Sequence, residues 1–537
     1  MKPKCRTNLE RRLSHRFVLV ILGLLTALAP GGCGESPPPS PAAPAESAAA
    51  VPPPPRQQTA APPAATPTAD RELWDISYIQ GNRIGYAHTT VTNTVHQGRK
   101  ALRVEQVNHL VVVRSGQRTE QEIRTSSVET VAGELIEFST ETIQGTAPVR
   151  TVGRVVGDRL ELETASQGKR VSTSIPWSKD YAGPYAVELS LLRQPMQPGQ
   201  QRTIQALDPV LTQVVAHQMT AKDYEPVKLL GGTHQLLRIE NVMRLGNGQT
   251  LPMVVWSDRT GDVLKTRMEA MGIETHRATK VQALEETDIG NLDFITDLAV
   301  KIDRPLPEAH STKRIRYRVH LDGGDPAGVF VSGPSQRLKS IDPHTAELTV
   351  YAIRPGLPGG NPDASDDRPT DADRQPNNMV QSDDERIVAM AQAAVGDQRD
   401  PWQMARTLER YVYDFIQEVG FSQAFATAAE VAENPSGDCT EHAVLLTALA
   451  RACGIPARAA VGLVYMQGKQ SFGYHMWTEM YLAGRWIPLD ATLARGGIGA
   501  AHLKLADSHL KGSSAYSSFL PVVQVIGRLK IEVLEVE

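Results

Sequence analysis

Asn434-Pro-Ser-Gly-Asp-Cys-Thr-Glu-His-Ala-Val-Leu-Leu-Thr-Ala-Leu-Ala-Arg-Ala-Cys-Gly-Ile-Pro456 opens on chain breakers and runs helix-favouring from Cys439 to Ala452. It stops at Gly454, with Pro456 just beyond. These are helix start and stop signals in the right order. Asp438 stands at the N-cap, and Glu441, three residues on, completes an aspartate version of the capping box. Cys439 therefore falls in the first turn, where the helix dipole and unpaired backbone N–H groups favour thiolate. A packing cysteine would sit more naturally mid-helix, among Val444, Leu445 and Leu449. Position alone thus leans toward a reactive thiol, and its partners must lie elsewhere.

Two β-runs follow the helix, Ala459 to Tyr465 and a hairpin from Tyr474 to Leu489. The segments Tyr474-His-Met-Trp-Thr-Glu-Met-Tyr-Leu482 and Arg485-Trp-Ile-Pro-Leu-Asp490 flank the two-residue turn Ala483-Gly484. With that turn Leu482 faces Arg485, Trp477 faces Asp490 and His475 faces Thr492. His475 and Asp490 then share a sheet face as diagonal neighbours, about 7 Å apart or less between Cβ atoms. A one-residue slip would place them on opposite faces. A thiol, an imidazole and a carboxylate are the three parts of nucleophilic acyl transfer: attack, proton shuttle and tautomer control. Singly, His475 reads as a packing residue and Asp490 as a turn residue. The ordered triple reverses that weighing.

Four segments, Gly437-Asp-Cys-Thr-Glu-His442, Leu449-Ala-Arg-Ala-Cys-Gly-Ile-Pro-Ala-Arg458, Gly473-Tyr-His-Met-Trp-Thr-Glu479 and Trp486-Ile-Pro-Leu-Asp490, resemble the bacterial transglutaminase-like superfamily over about Glu385 to Glu537. The resemblance implies a papain-like α+β domain, with Cys439 as nucleophile, His475 as base and Asp490 as orienting acid. Its members include cross-linkers, peptidases and amidases, so thiol acyl chemistry on an amide is implied without a particular substrate. The oxyanion would be held by the Cys439 backbone N–H and a side-chain donor, for which Gln423 and Trp402 are the candidates. Trp477, on the His475 face, stands between core packing and lining the cleft. His442 lies one turn after Cys439, but the family position favours His475. Arg458 reads as structural, and no calcium ligand set of the animal enzymes is visible.

The rest of the chain sets the context. Its 537 residues exceed one ordinary core, so several domains are expected. Apolar content of 41%, charged content of 22% and a net charge of −4 fit a soluble globular protein without a basic field for nucleic acid. The four cysteines are Cys5, Cys33, Cys439 and Cys453. About 14 helical residues separate the last two by roughly 20 Å, too far for a disulfide.

Basic residues from Lys2 to Arg16 precede the apolar run Phe17–Ala29 and Pro30-Gly-Gly-Cys33, an export signal over 1–33. Cys33 is a candidate lipidation site, although Pro30 stands where such sites prefer an aliphatic residue; simple secretion and an uncleaved anchor are the alternatives. Residues 34–70, rich in Pro and Ala, read as a disordered tether. Short strands over 71–300 predict an all-β antiparallel meander, with a short helix within Ile175–Leu192 and a hairpin signal at Gly81-Asn82. Residues 301–354 read as a β-rich connecting segment. The acidic, Pro/Gly-rich stretch 355–384 reads as a solvated linker rather than a calcium site, and 385–537 as the catalytic domain, whose second helix starts at Asp400-Pro401.

These features predict an exported, envelope-associated cysteine enzyme without metal or cofactor, acting on amide bonds of peptides or proteins and held to a membrane through the lipid site. Hydrolysis is preferred to cross-linking. The competing reading is a non-catalytic envelope scaffold or binding protein in which the β region does the work. Oligomeric state is not legible in the sequence.

Overall fold

A computed structural model describes residues 70–537 apart from 115–116, 144–147, 167–168, 247–249, 270–271, 286–288, 291, 294–296, 355–359, 365–366, 418–425 and 512–519. The export signal, nearly all of the tether, Cys33 and Gln423 lie outside the described residues. Among the described residues no helix is long and apolar enough to cross a membrane.

The N-terminal half is a 15-stranded sheet. Strands joined by short turns pair with their chain neighbours, the up-and-down meander expected from alternating residues and closely spaced turn signals. The first eight strands run outward from Arg71–Ile79 to one edge. The other seven run from the second edge back to Ile273–Ala278, which pairs antiparallel with Arg71–Ile79. The two free edges, Lys169–Pro176 and Tyr181–Ala182, are consecutive in the chain. The first turn sits one residue earlier than Gly81-Asn82: Ile79 pairs with Asn82, so Gln80 and Gly81 make the turn with φ of 48° and 80°. Two successive positive φ values match a primed turn, which puts its glycine second. The short helix forms at Ala186–Arg193.

Residues 301–354 are more than a connection. Arg314–Leu321, Gln336–Asp342 and Thr345–Tyr351 form a four-stranded sheet with the chain's last strand, Leu529–Val536. Alternate residues Ile315, Tyr317, Val319 and Leu321 are buried, as are Leu529, Ile531 and Val533, and this shared apolar face joins the segments. Residues 355–384 likewise depart from a solvated linker, within the acidic run itself. Asp373 is buried and accepts from His509 at 2.8 Å, and Met379, Val380 and Gln381 are buried too.

The C-terminal region places helices Glu385–Val395, Pro401–Phe415, Ala428–Glu433 and Cys439–Ala452 with a five-stranded sheet. Its strands are Val300–Lys301, Ser471–Leu482, Ala457–Met466 and His502–Ser508 in that order, with Arg485–Leu489 also paired to Ser471–Leu482. The helix Cys439–Ala452 is buried at every residue from Thr440 to Arg451. It is thus the central post of the domain, and its first residue stands beside the middle of the strand Ser471–Leu482. Asp400 caps the helix Pro401–Phe415 by accepting from the Gln403 N–H at 2.8 Å.

Candidate active site

The local start of the central helix fixes Cys439. The Asp438 carboxylate accepts from the Thr440 N–H at 2.8 Å, while the Glu441 carboxylate accepts from the Asp438 N–H at 2.9 Å and the Ala426 N–H at 2.9 Å. Gly437 is required here, since a Cβ would lie 2.4 Å from the Glu441 side chain. His442 is spent on the same turn: its Nδ1 donates to the Asp438 carbonyl at 2.6 Å.

The hairpin fixes the other two groups. Leu482 pairs with Arg485, and the ladder runs to Thr478 opposite Leu489, the register expected from the Ala483-Gly484 turn. Both turn residues have positive φ, 50° and 84°. Continuing one step brings Asp490 opposite Trp477 and one diagonal from His475. The His475 Nε2–H donates to Asp490 Oδ2 at 2.9 Å. The imidazole also stands near enough to the Cys439 thiol for each to act on the other's charge. With Nε2 committed to Asp490, Nδ1 is the nitrogen left to serve the thiol. Cys439, His475 and Asp490 thus stand together, with His475 hydrogen-bonded to Asp490 and in electrostatic reach of the thiol.

Electrostatics couple the three. Burial pushes the Cys439 thiol above its ordinary range, Asp438 adds to this, and His475 pulls the other way. Burial also opposes charge on His475, but the Asp490 carboxylate and the Cys439 sulfur outweigh it and hold the imidazolium well above the ordinary histidine range. Burial opposes charge on Asp490 too, yet His475 and His502 hold it well below the carboxylate range. The charged thiolate–imidazolium pair therefore arises by transfer of one proton between Sγ and Nδ1, and its titration belongs to the pair.

Three neighbours carry roles that the sequence did not show. Thr492 donates its N–H and its hydroxyl to Asp490 Oδ1 at 2.9 and 2.6 Å. His502 donates from Nε2 to Asp490 Oδ2 at 2.9 Å. Glu409 accepts the Asp490 N–H at 3.1 Å and the Gly496 N–H at 2.7 Å, and burial pushes its carboxyl up to about 7 against the pull of those amides. Glu409 had a sequence signal: it lies on the buried stripe of Ala405, Leu408 and Val412, where an acid must be satisfied internally.

The weaker candidates separate. Trp477 is buried, 6.3 Å from His475 and 5.3 Å from His502 between ring centroids, and its Nε1 has no hydrogen-bond partner among the described residues. Trp402 packs half-buried against the core. Arg458 is buried against Glu479 at 2.9 Å and Asp367 at 2.7 Å, a structural network. A cavity of about 360 Å³ borders His475, with Thr492, Leu493 and Arg495 on its wall beside Glu308 and His310.

A helix-borne thiol near a strand-borne imidazole that is paired with a carboxylate is the arrangement that cysteine-dependent acyl transfer uses. Residues 388–491 match the family model of the transglutaminase-like superfamily, so the chain carries a transglutaminase-like domain. Structural similarity is recorded to a candidate cysteine protease from Cytophaga hutchinsonii (15% identity, 42% of this chain and 89% of that one, TM-score 0.27). It extends to a β-barrel-like DUF1849 protein from Brucella abortus (11%, 40% and 98%, TM-score 0.30). A third likeness is to the periplasmic domain of TgpA from Pseudomonas aeruginosa bound to ethylmercury (15%, 38% and 87%, TM-score 0.25). No curated protein matches the sequence.

Proposed function

We propose that the protein is an exported acyl-transfer enzyme that opens amide bonds of peptides or proteins through a thioester on Cys439, with hydrolysis preferred to cross-linking. The observation that carries this reading is His475, hydrogen-bonded to Asp490 Oδ2 and in electrostatic reach of the Cys439 thiol. His475 Nδ1 takes the thiol proton as sulfur attacks the carbonyl carbon. The imidazolium returns that proton to the amide nitrogen as the C–N bond breaks, and the amine leaves. Water then gives a proton to His475 and attacks the thioester, releasing the acid and restoring the thiol. Asp490 keeps Nε2 protonated and Nδ1 available throughout. Export rests on the basic and apolar opening residues, and membrane attachment on Cys33 followed by the Pro/Ala-rich tether.

The test is mass spectrometry of a glutamine-containing peptide incubated with the full chain, with and without a primary amine. The proposal expects acid product in both cases and its loss in Cys439→Ala. Undiminished conversion by Cys439→Ala overturns the assignment; amine adducts in place of acid overturn the preference for hydrolysis.

A further inference from the structure

Asp490 Oδ2 serves two imidazoles rather than one. His475 Nε2 and His502 Nε2 each stand 2.9 Å from it, and the ring centroids are 5.9 Å apart. We propose that His502 is a positioning residue, a permanently neutral donor that fixes the Asp490 carboxylate and moderates the charge it offers His475. This rests on the acyl-transfer reading above.

The tautomer follows from the partners. A carboxylate only accepts, so His502 Nε2 carries a proton. Its Nδ1 has no hydrogen-bond partner among the described residues, and the residue is 1% exposed. A second proton on Nδ1 would bury another positive charge beside the His475 imidazolium and near Arg354. The group facing it from the turn Ala309–Ser311 is His310, 5.7 Å away between ring centroids. His310 faces the Tyr465 carbonyl through Nε2 at 3.1 Å, so that nitrogen is its donor and its Nδ1 is also bare. Trp477 packs edge-on against the His502 ring. Among the described residues Asp490 is the one carboxylate hydrogen-bonded to His502, and Glu409 meets Asp490 through its backbone N–H. His502 is thereby kept from joining the proton traffic of the Cys439–His475 pair. Its donated hydrogen bond takes a share of the Asp490 charge that His475 would otherwise receive whole.

The two roles predict opposite shifts. Removing the donor makes Asp490 a stronger partner for His475 and lets the carboxylate turn. The test is site-resolved alkylation of Cys439 by iodoacetamide in the full chain across pH, for the natural protein, His502→Leu, His502→Gln and His475→Gln, each checked by thermal melting. Gln places an amide nitrogen near the position of Nε2 and keeps a donor. The inference expects His502→Leu to slow alkylation near neutral pH about tenfold. It also expects the upper inflection, where His475 loses its proton, to rise by about one pH unit, with His502→Gln restoring both. Folded His502→Leu and His502→Gln that both match the natural profile, or that lose reactivity equally, overturn it. If His475→Gln leaves Cys439 alkylation unchanged, the acyl-transfer reading falls and this inference with it. If His475→Gln suppresses alkylation while His502→Leu does not, the inference alone falls.

Discussion

Asp490→Asn tests the arrangement at its most constrained point. Asp490 Oδ2 accepts from two imidazole nitrogens, and Oδ1 accepts from the Thr492 N–H and hydroxyl. All four partners donate, so either orientation of an asparagine amide aims its NH₂ at two donors. The His475 imidazolium, 9% exposed at its side chain, would also lose its buried counter-charge. Breaking a buried pair from one side costs roughly 3–5 kcal/mol. At about 1.4 kcal/mol per decade, that is roughly two to four orders of magnitude if the whole cost falls on the imidazolium formed during catalysis. The assay is kcat/KM on the amide substrate, with chemical denaturation in parallel. Asp490 has a lowered folded pKa, so its contribution to stability is present above about pH 4 and is lost as pH falls through the folded value. His475 has a raised one, and its contribution is full below about pH 6.5 and is lost as pH rises through its folded value. The variant should therefore lose most stability between those limits. A folded Asp490→Asn enzyme within about threefold of the natural kcat/KM would refute the role given to the carboxylate.

Glu409 is held up at about 7, above its unfolded value of about 4.3, so folding favours its protonated form. Its contribution falls as pH rises through that window, on the order of 4 kcal/mol in all; Glu409→Gln should flatten this slope in melts taken from pH 4 to 8. Gly437→Ala drives a Cβ to 2.4 Å from the Glu441 side chain and should cost about 1–3 kcal/mol in urea unfolding. It should also slow Cys439 alkylation, because the capping box sets the thiol.

Features carried by neighbouring residues were legible in the sequence. Asp438 and Glu441 mark the helix start within four residues, and Ala483-Gly484 sets a register from which the His475–Asp490 diagonal follows by counting. The meander was legible because nearly every strand pairs with the next, the exception being the two edge strands Lys169–Pro176 and Tyr181–Ala182. What escaped joins distant positions. Glu409 meets the Asp490 N–H across 81 residues, and Arg71–Ile79 closes onto Ile273–Ala278 across about two hundred. The strands of 314–351 show their own alternation, but nothing local reveals Leu529–Val536 as their partner. His502 reads as an ordinary strand histidine, since only the return of its strand beside Ala457–Met466 brings it to Asp490.

The central claim is that His475 is what makes Cys439 a nucleophile. Burial and Asp438 both oppose the thiolate, and His475 is the side chain that opposes them. The direct measurement compares iodoacetamide alkylation of Cys439 with that of Cys453 in the same molecule at neutral pH, in the natural protein and in His475→Gln. Cys453 is the other described free thiol and an internal standard. The account predicts Cys439 faster than Cys453 in the natural protein and slower than Cys453 in the variant. Equal rates in the natural protein, or a Cys439 rate untouched by His475→Gln, would contradict it.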